Sequence, residues 1–272
     1  MINLDRMELA DCFTPEALTK EIFRQCPKLS PPIPIVEIAK AVGILEVIEK
    51  DLSAIGGMLV SDEEKNEGVI FHHSEGPSGR KRFTIAHELG HFLLPKHSAK
   101  HKCFQSDIKI GKQSDSNNVF EAEANKFAQS LLMPEKFISS AINQTLPDIH
   151  ILISLKKQFD MSFEAISNEC TKHSKNPFAL VYSQNGIVRY CWRDWHSFEP
   201  RITVKRGELL PPNSHASRLD LPNETVSSIR DIPSEIWLGE ENSHIALQEQ
   251  SYIQNDGYMV TLLRFKNTED TS

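Results

Sequence analysis

Apolar residues recur at spacings of three and four through residues 80–94, where Phe83, Ala86, Leu89 and Leu93 form one stripe. That period predicts a helix, closed by Pro95. A second stripe of Glu121, Ala124, Asn125, Ala128 and Leu132 predicts another helix ending before Pro134. Near the start of the chain, Thr14 as cap and Pro15 at the first helical position open a helix over 14–26, with Ala17, Leu18 and Ile22 facing inward. The run Ser30-Pro-Pro-Ile-Pro34 reads as a stiff extended linker, and 35–42 as a short helix closed by Gly43. Strands are expected at 44–49, 58–61 and 68–72, the last ending on His72 and His73, and one edge of this sheet is expected to pair with an extended peptide. The polar stretch 96–107 is expected to be an irregular connection.

After Pro134, helical patterns fall at about 135–143, 148–158 and 162–172. The last two read as helix, turn and capped helix. Glu164 and Glu169 occupy the second, where a DNA-reading helix would carry cations, so a helical pair packing on its neighbours is the expectation. Composition shifts near Lys172-His-Ser-Lys-Asn-Pro177. Beyond it, alternation predicts strands at 178–183, 187–193, 202–205, 224–228, 235–238, 244–250 and 258–265. Asn185-Gly186 between the first two is a strong hairpin signal. An antiparallel sheet in an α+β domain is expected.

Composition narrows the class. The 272 residues carry a net charge of −7, which argues against a protein that coats nucleic acid generally, though not against a local basic site. Five cysteines, at 12, 26, 103, 170 and 191, form an odd set without a C-x-x-C pair, as expected of reduced thiols in a cytoplasm. No basic-then-apolar leader and no apolar run near 18 residues is present, so neither a signal peptide nor a membrane span is expected.

The helix over 80–94 contains H-E-x-x-H. His87 and His91 are four apart and project from one helical face, so both imidazoles can reach one metal ion. Glu88 lies one step round, off the ligand stripe but near enough to take a proton from water at that metal. Catalytic zinc needs a third protein ligand, and a carboxylate from a second helix is the usual one. Glu121 fits better than Glu123, because its stripe carries two alanines that allow close approach of the two helices. Gly90 would do the same from the other side. Asn125, one turn beyond Glu121, is placed to accept a hydrogen bond from a ligand histidine. Glu123 points about 200° away and reads as an ion-pair or capping residue.

The two motifs together, R-x-F-T-x-A-H-E-L-G-H-x-L-L and E-x-E-A-N-x-F-A-x-x-L-L-M-P, resemble the ImmA/IrrE family of bacterial zinc metallopeptidases over roughly residues 30–170. The resemblance implies Zn2+ held by His87, His91 and Glu121, with Glu88 as general base. It also implies cleavage of a helix-turn-helix transcriptional repressor under a stress signal such as DNA damage. The C-terminal part is similar in its expected architecture to the GAF-like sensory domains that some members carry. The expected fold is therefore α+β. A zincin-like metallopeptidase domain (1–140) is followed by a helix-turn-helix-like connector (141–175) and a GAF-like regulatory domain (176–272).

Two further features bear on regulation. Cys103 lies twelve residues after His91, and a thiolate there could occupy the open fourth position on zinc and hold the enzyme inactive. A separate zinc site from His97, His101 and Cys103 lacks a clear fourth ligand. Between Ile187 and Arg206, five basic residues interleave with four aromatics. Arg189, Tyr190, Trp192, Arg193 and Trp195 are thus candidates for binding single-stranded DNA, which needs stacking platforms beside cations. The alternative is a hairpin with core aromatics and solvated arginines. The expected activity is zinc-dependent endoproteolysis. The rival is a zinc-stabilised, non-proteolytic regulator that binds a partner protein or small ligand.

Overall fold

A computed structural model describes residues 2–52, 55–104 and 119–266, with the backbone alone at 100–104. The chain divides into two compact units, Met1–Phe137 with Lys156–Ile166 and Ile138–Leu155 with Ser167–Ser272.

The first unit opens with helices α1 (Arg6–Ala10), α2 (Pro15–Gln25) and α3 (Ile35–Ala41). Thr14 Oγ1 accepts from the Ala17 amide at 3.2 Å, and Pro15 supplies a preset first residue, so α2 begins where local chemistry favours it. Residues 30–34 are more than a linker. Ile33 is fully buried, and its carbonyl accepts from Arg82 Nη2 at 2.7 Å, which fastens this proline-rich run to the core.

Strands β1 (Ile44–Lys50), β2 (Ile55–Ser61) and β3 (Gly68–His73) lead into helix α4 (Ser78–Leu93), strand β4 (Lys100–Phe104) and helix α5 (Val119–Leu132). The sheet runs β1-β3-β2-β4, with β1 parallel to β3 and the other pairs antiparallel. Strand β4 corrects the expectation of an irregular connection. An edge strand pairs through its backbone, and charged residues such as Lys100 and Lys102 suit an edge, so its lack of apolar pattern concealed it.

Helix α4 packs along α5. Phe83, Ala86, Leu89 and Phe92 from one helix and Ala124, Phe127, Ala128 and Leu131 from the other are buried. The helices meet closely at Gly90. A β-carbon there would stand 3.1 Å from the Phe127 ring and 3.2 Å from Ala124 Cα. The C-terminal end of α4 is closed from the β2–β3 loop, where Lys65 Nζ donates to the carbonyls of His91 and Leu94, each at 2.8 Å.

Helices α6 (Glu135–Ile142), α7 (Ile149–Phe159) and α8 (Phe163–His173) follow. Ser162 caps α8 by accepting from the Ala165 amide at 3.1 Å. The second unit then adds β5 (Phe178–Gln184), β6 (Ile187–Arg193), β7 (Thr225–Val226), β8 (Arg230–Pro233), α9 (Glu235–Leu238), β9 (Ala246–Ile253) and β10 (Tyr258–Phe265). Its antiparallel sheet runs β6-β5-β10-β9-β7, and β8 also pairs with β9. Asn185 and Gly186 both have positive φ, 51° and 75°, as the tight β5–β6 turn requires. Val181, Val188, Phe198, Trp237, Leu238 and Leu263 centre its core.

Two expected strands are absent among the described residues. Residues 235–238 form α9, and 202–205 form no strand. A four-residue apolar run does not distinguish helix from strand by its period. Here the choice is set at a distance by buried Glu249, whose carboxylate accepts from Trp237 Nε1 at 2.9 Å and from the Ala216 amide at 2.5 Å. Among the described residues no helix is long and apolar enough to cross a membrane.

Candidate metal centre

Helix α4 carries His87, Glu88 and His91 on consecutive turns, and α5 carries Glu121 at its first turn with Asn125 one turn on. All five are buried. His87 Nε2 lies 3.1 Å from Glu121 Oε2 and 3.1 Å from His91 Nε2, and His91 Nε2 lies 3.5 Å from Glu121 Oε1. Ligand bonds of about 2.0–2.1 Å at tetrahedral angles imply donor separations of about 3.3 Å. The three donors thus already stand where one small cation would hold them. Two imidazole nitrogens and a carboxylate this close form a buried donor set that could hold one metal ion.

Burial alone would raise the Glu121 carboxyl, but the two imidazoles facing it outweigh burial and hold it well below the usual carboxylate range. It is therefore ionised throughout the neutral range and ready to bind a cation. The other nitrogen of His87, Nδ1, is 3.0 Å from Asn125 Oδ1. An amide oxygen accepts only, so Asn125 holds a proton on Nδ1, and a metal ion at Nε2 would take the place of the proton that His87 shares with Glu121.

Glu88 stands apart from this donor set. Its side chain is fully buried and lies against Gly57 of β2, where a β-carbon would fall 2.4 Å from Oε1. The backbone of β2 is thus the floor under this carboxylate.

His97 was not foreseen as part of the site. The chain turns back after α4, with the His97 amide bonded to the Leu94 carbonyl, and brings His97 Nδ1 to 2.8 Å from His91 Nδ1. His97 Nε2 lies 3.0 Å from Glu123 Oε2, so the glutamate on the far side of α5 also turns toward the site's periphery. A histidine just past the helix terminator Pro95 was the available signal, but spacing does not show which way a turn folds.

Cys103 pairs by backbone register with Gly57, while its side chain lies outside the described residues. His72 is buried with Nδ1 near the His73 carbonyl and is not one of the three grouped donors.

The expected stacking platforms of the C-terminal hairpin are already occupied. Tyr190 stacks on Tyr182 with ring centroids 4.4 Å apart. Trp192 Nε1 lies 3.1 Å from both the Asn168 carbonyl and Thr171 Oγ1. Arg193 donates to the carbonyls of Phe198, Glu199 and Pro200, and its guanidinium covers the Trp195 ring at 3.9 Å. Only Arg189 and one face of Trp195 reach out. These contacts do not support the reading of this hairpin as a single-stranded DNA platform, because Tyr190 and Trp192 are packed by partners that β-alternation cannot reveal.

Comparison with known proteins adds a second line to this geometry. Residues 39–171 match the family Peptidase_M78, described as an IrrE N-terminal-like domain. The radiation response metalloprotease IrrE of Deinococcus radiodurans is 29% identical over 123 residues, which cover 45% of this chain and 35% of that protein. The match thus spans about a third of the relative's length. A solved structure of a Mycobacterium tuberculosis transcriptional regulator shares the fold at a TM-score of 0.50 and 15% identity, covering 96% of this chain and 81% of the other. The segment that resembles metallopeptidase domains contains His87, Glu88, His91 and Glu121.

Proposed function

We propose, from the likeness of residues 39–171 to metallopeptidase domains, that the chain is a zinc-dependent endopeptidase with the gluzincin arrangement of two histidines and a glutamate. The observation that carries this reading is the buried His87–His91–Glu121 cluster with a second buried acid, Glu88, beside it. A purely structural cation has no use for a second acid outside its donor set. A divalent cation held there supplies Lewis acidity toward a carbonyl and a water. His87, His91 and Glu121 hold it, and Asn125 keeps His87 in the binding tautomer. Glu88 takes the proton from the water that attacks the peptide carbonyl, and returns it to the departing amine nitrogen. Its packing against the β2 backbone limits where that carboxylate can swing.

The substrate we infer is a helix-turn-helix transcriptional repressor, cleaved under a stress signal such as DNA damage, with the second unit acting as a GAF-like sensory domain. The name of one similar protein, a radiation response metalloprotease, supports that direction. The antiparallel sheet with its last strand β10 between β5 and β9 supports the sensory reading of the second unit. Cys103, opposite Gly57 in the strand ladder, is retained as a candidate inhibitory ligand.

The test is to mix the zinc-loaded chain with helix-turn-helix repressors from the same organism, taking first any that a neighbouring gene encodes. Wild type is expected to cut one of them, and Glu88→Gln to bind the same amount of zinc without cutting. His87→Ala, His91→Ala and Glu121→Ala should lose zinc. A stable complex with no cleavage by wild type would replace this reading with that of a non-proteolytic regulator.

A further inference from the structure

We propose that His97 and Glu123 form a relay that fixes the tautomer and direction of His91, making both of them positioning residues of the metal centre. The proposal rests on reading His87, His91 and Glu121 as metal ligands.

The relay runs from Glu123 Oε2 to His97 Nε2 at 3.0 Å, and from His97 Nδ1 to His91 Nδ1 at 2.8 Å. It ends at His91 Nε2, which faces His87 and Glu121. Two ring nitrogens at 2.8 Å share one proton, and symmetry does not say which of them owns it. The carboxylate decides. The Glu123 oxygen at 3.0 Å is the acceptor of this pair, so His97 Nε2 carries the proton that faces it. With one proton between the two rings, His97 Nδ1 is the acceptor and His91 Nδ1–H the donor. His91 is left with Nε2 bare, the form a metal ion requires. Run the other way, the chain would place a proton on His91 Nε2 and close that ligand position.

The two ligand histidines are thus held by different chemistry. His87 has a neutral amide, Asn125, as its direct partner. His91 has an imidazole backed by a carboxylate, which also makes it the more electron-rich ligand. The relay is well enclosed where it matters. The His97 side chain is fully buried, its ring meets Phe120 edge-on with centroids 4.9 Å apart, and only Glu123 is partly open to solvent. It also joins three pieces of the site, since His97 lies in the turn after α4 and Glu123 lies on α5.

The test compares amides of different length at position 97. Asparagine places its oxygen near where the histidine Nδ1 stands, and so can accept from His91. Glutamine is closer to histidine in bulk but places its polar end near Nε2. Zinc affinity of the full chain is measured by competition with a chromogenic chelator, and the cobalt-substituted protein is followed by its visible ligand-field spectrum. His97→Asn should stay close to wild type in both. His97→Gln should bind zinc about 10–100-fold more weakly and shift the cobalt bands. Glu123→Ala should weaken zinc with His97 intact, and Glu123→Gln, which keeps an acceptor, should weaken it less. Because Glu123 is partly exposed, its variants leave no buried cavity, and they carry the test if a variant at 97 fails to fold. Equal zinc affinity in His97→Asn and His97→Gln, or wild-type affinity in Glu123→Ala, would overturn the relay. A wild-type chain that binds no zinc would instead overturn the metal-site reading on which it rests.

Discussion

Gly57 lies directly beneath Glu88: a β-carbon on this residue would stand 2.4 Å from Glu88 Oε1 and 2.6 Å from Thr84 Cγ2. The backbone there lies outside the left-handed region, so space and not conformation demands glycine. Gly57→Ala is therefore expected to fold and bind zinc while pushing the Glu88 carboxylate out of place. Cleavage should fall by about 10²-fold or more, the usual worth of a positioned general base, with zinc content unchanged. Measuring metal stoichiometry beside the cleavage rate checks this, and a variant as active as wild type would show that Glu88 has room to move.

Lys65 reaches from the β2–β3 loop to two carbonyls at the end of α4. Burial lowers its ammonium to about 8, which still leaves it charged at neutral pH, where a cation at a helix C-terminus is favourable. Lys65→Met keeps the aliphatic stem and removes the cap. A loss of about 1–2 kcal/mol is expected in urea unfolding at pH 7. Zinc affinity should also fall, because one of the capped carbonyls belongs to His91.

Glu169 gives a pH signature in the second unit. Burial would raise its carboxyl, but hydrogen bonds from His173 and Lys172 outweigh burial and lower it to about 2. A carboxyl depressed in the folded chain stabilises it above the unfolded value of 4.5. That contribution is lost as pH falls toward about 2. Glu169→Gln should therefore cost roughly 1–3 kcal/mol at pH 7 and progressively less below pH 4.5. Urea midpoints for both chains at several pH values report the convergence.

If Cys103 occupies the fourth position on zinc, Cys103→Ser should cleave without an inducing signal. X-ray absorption of the wild-type chain should then show one sulfur neighbour at about 2.3 Å. A spectrum with nitrogen and oxygen neighbours alone would end that idea, and would leave Cys103 as a residue of an edge strand.

The sequence by itself determined what is local. The three-and-four spacing of Phe83, Ala86, Leu89 and Leu93 set α4, and the same helical period placed His87 and His91 on one face, because both follow from the geometry of a single helix. The stripe through Glu121, Ala124 and Asn125 set α5, and Asn185-Gly186 set the β5–β6 turn for the same reason. What only the tertiary structure decided depends on residues distant in the chain. Residues 235–238 became a helix around a tryptophan held by Glu249, and 100–104 became a strand because β2 offered its edge. Tyr190 and Trp192 left the candidate binding surface because Tyr182 and α8 were there to pack them. His97 and Gly57 joined the site only when a turn and a sheet brought them to His91 and Glu88. Periodicity reports which face of an element turns inward, whereas the neighbour that meets that face is set by chain closure over tens of residues.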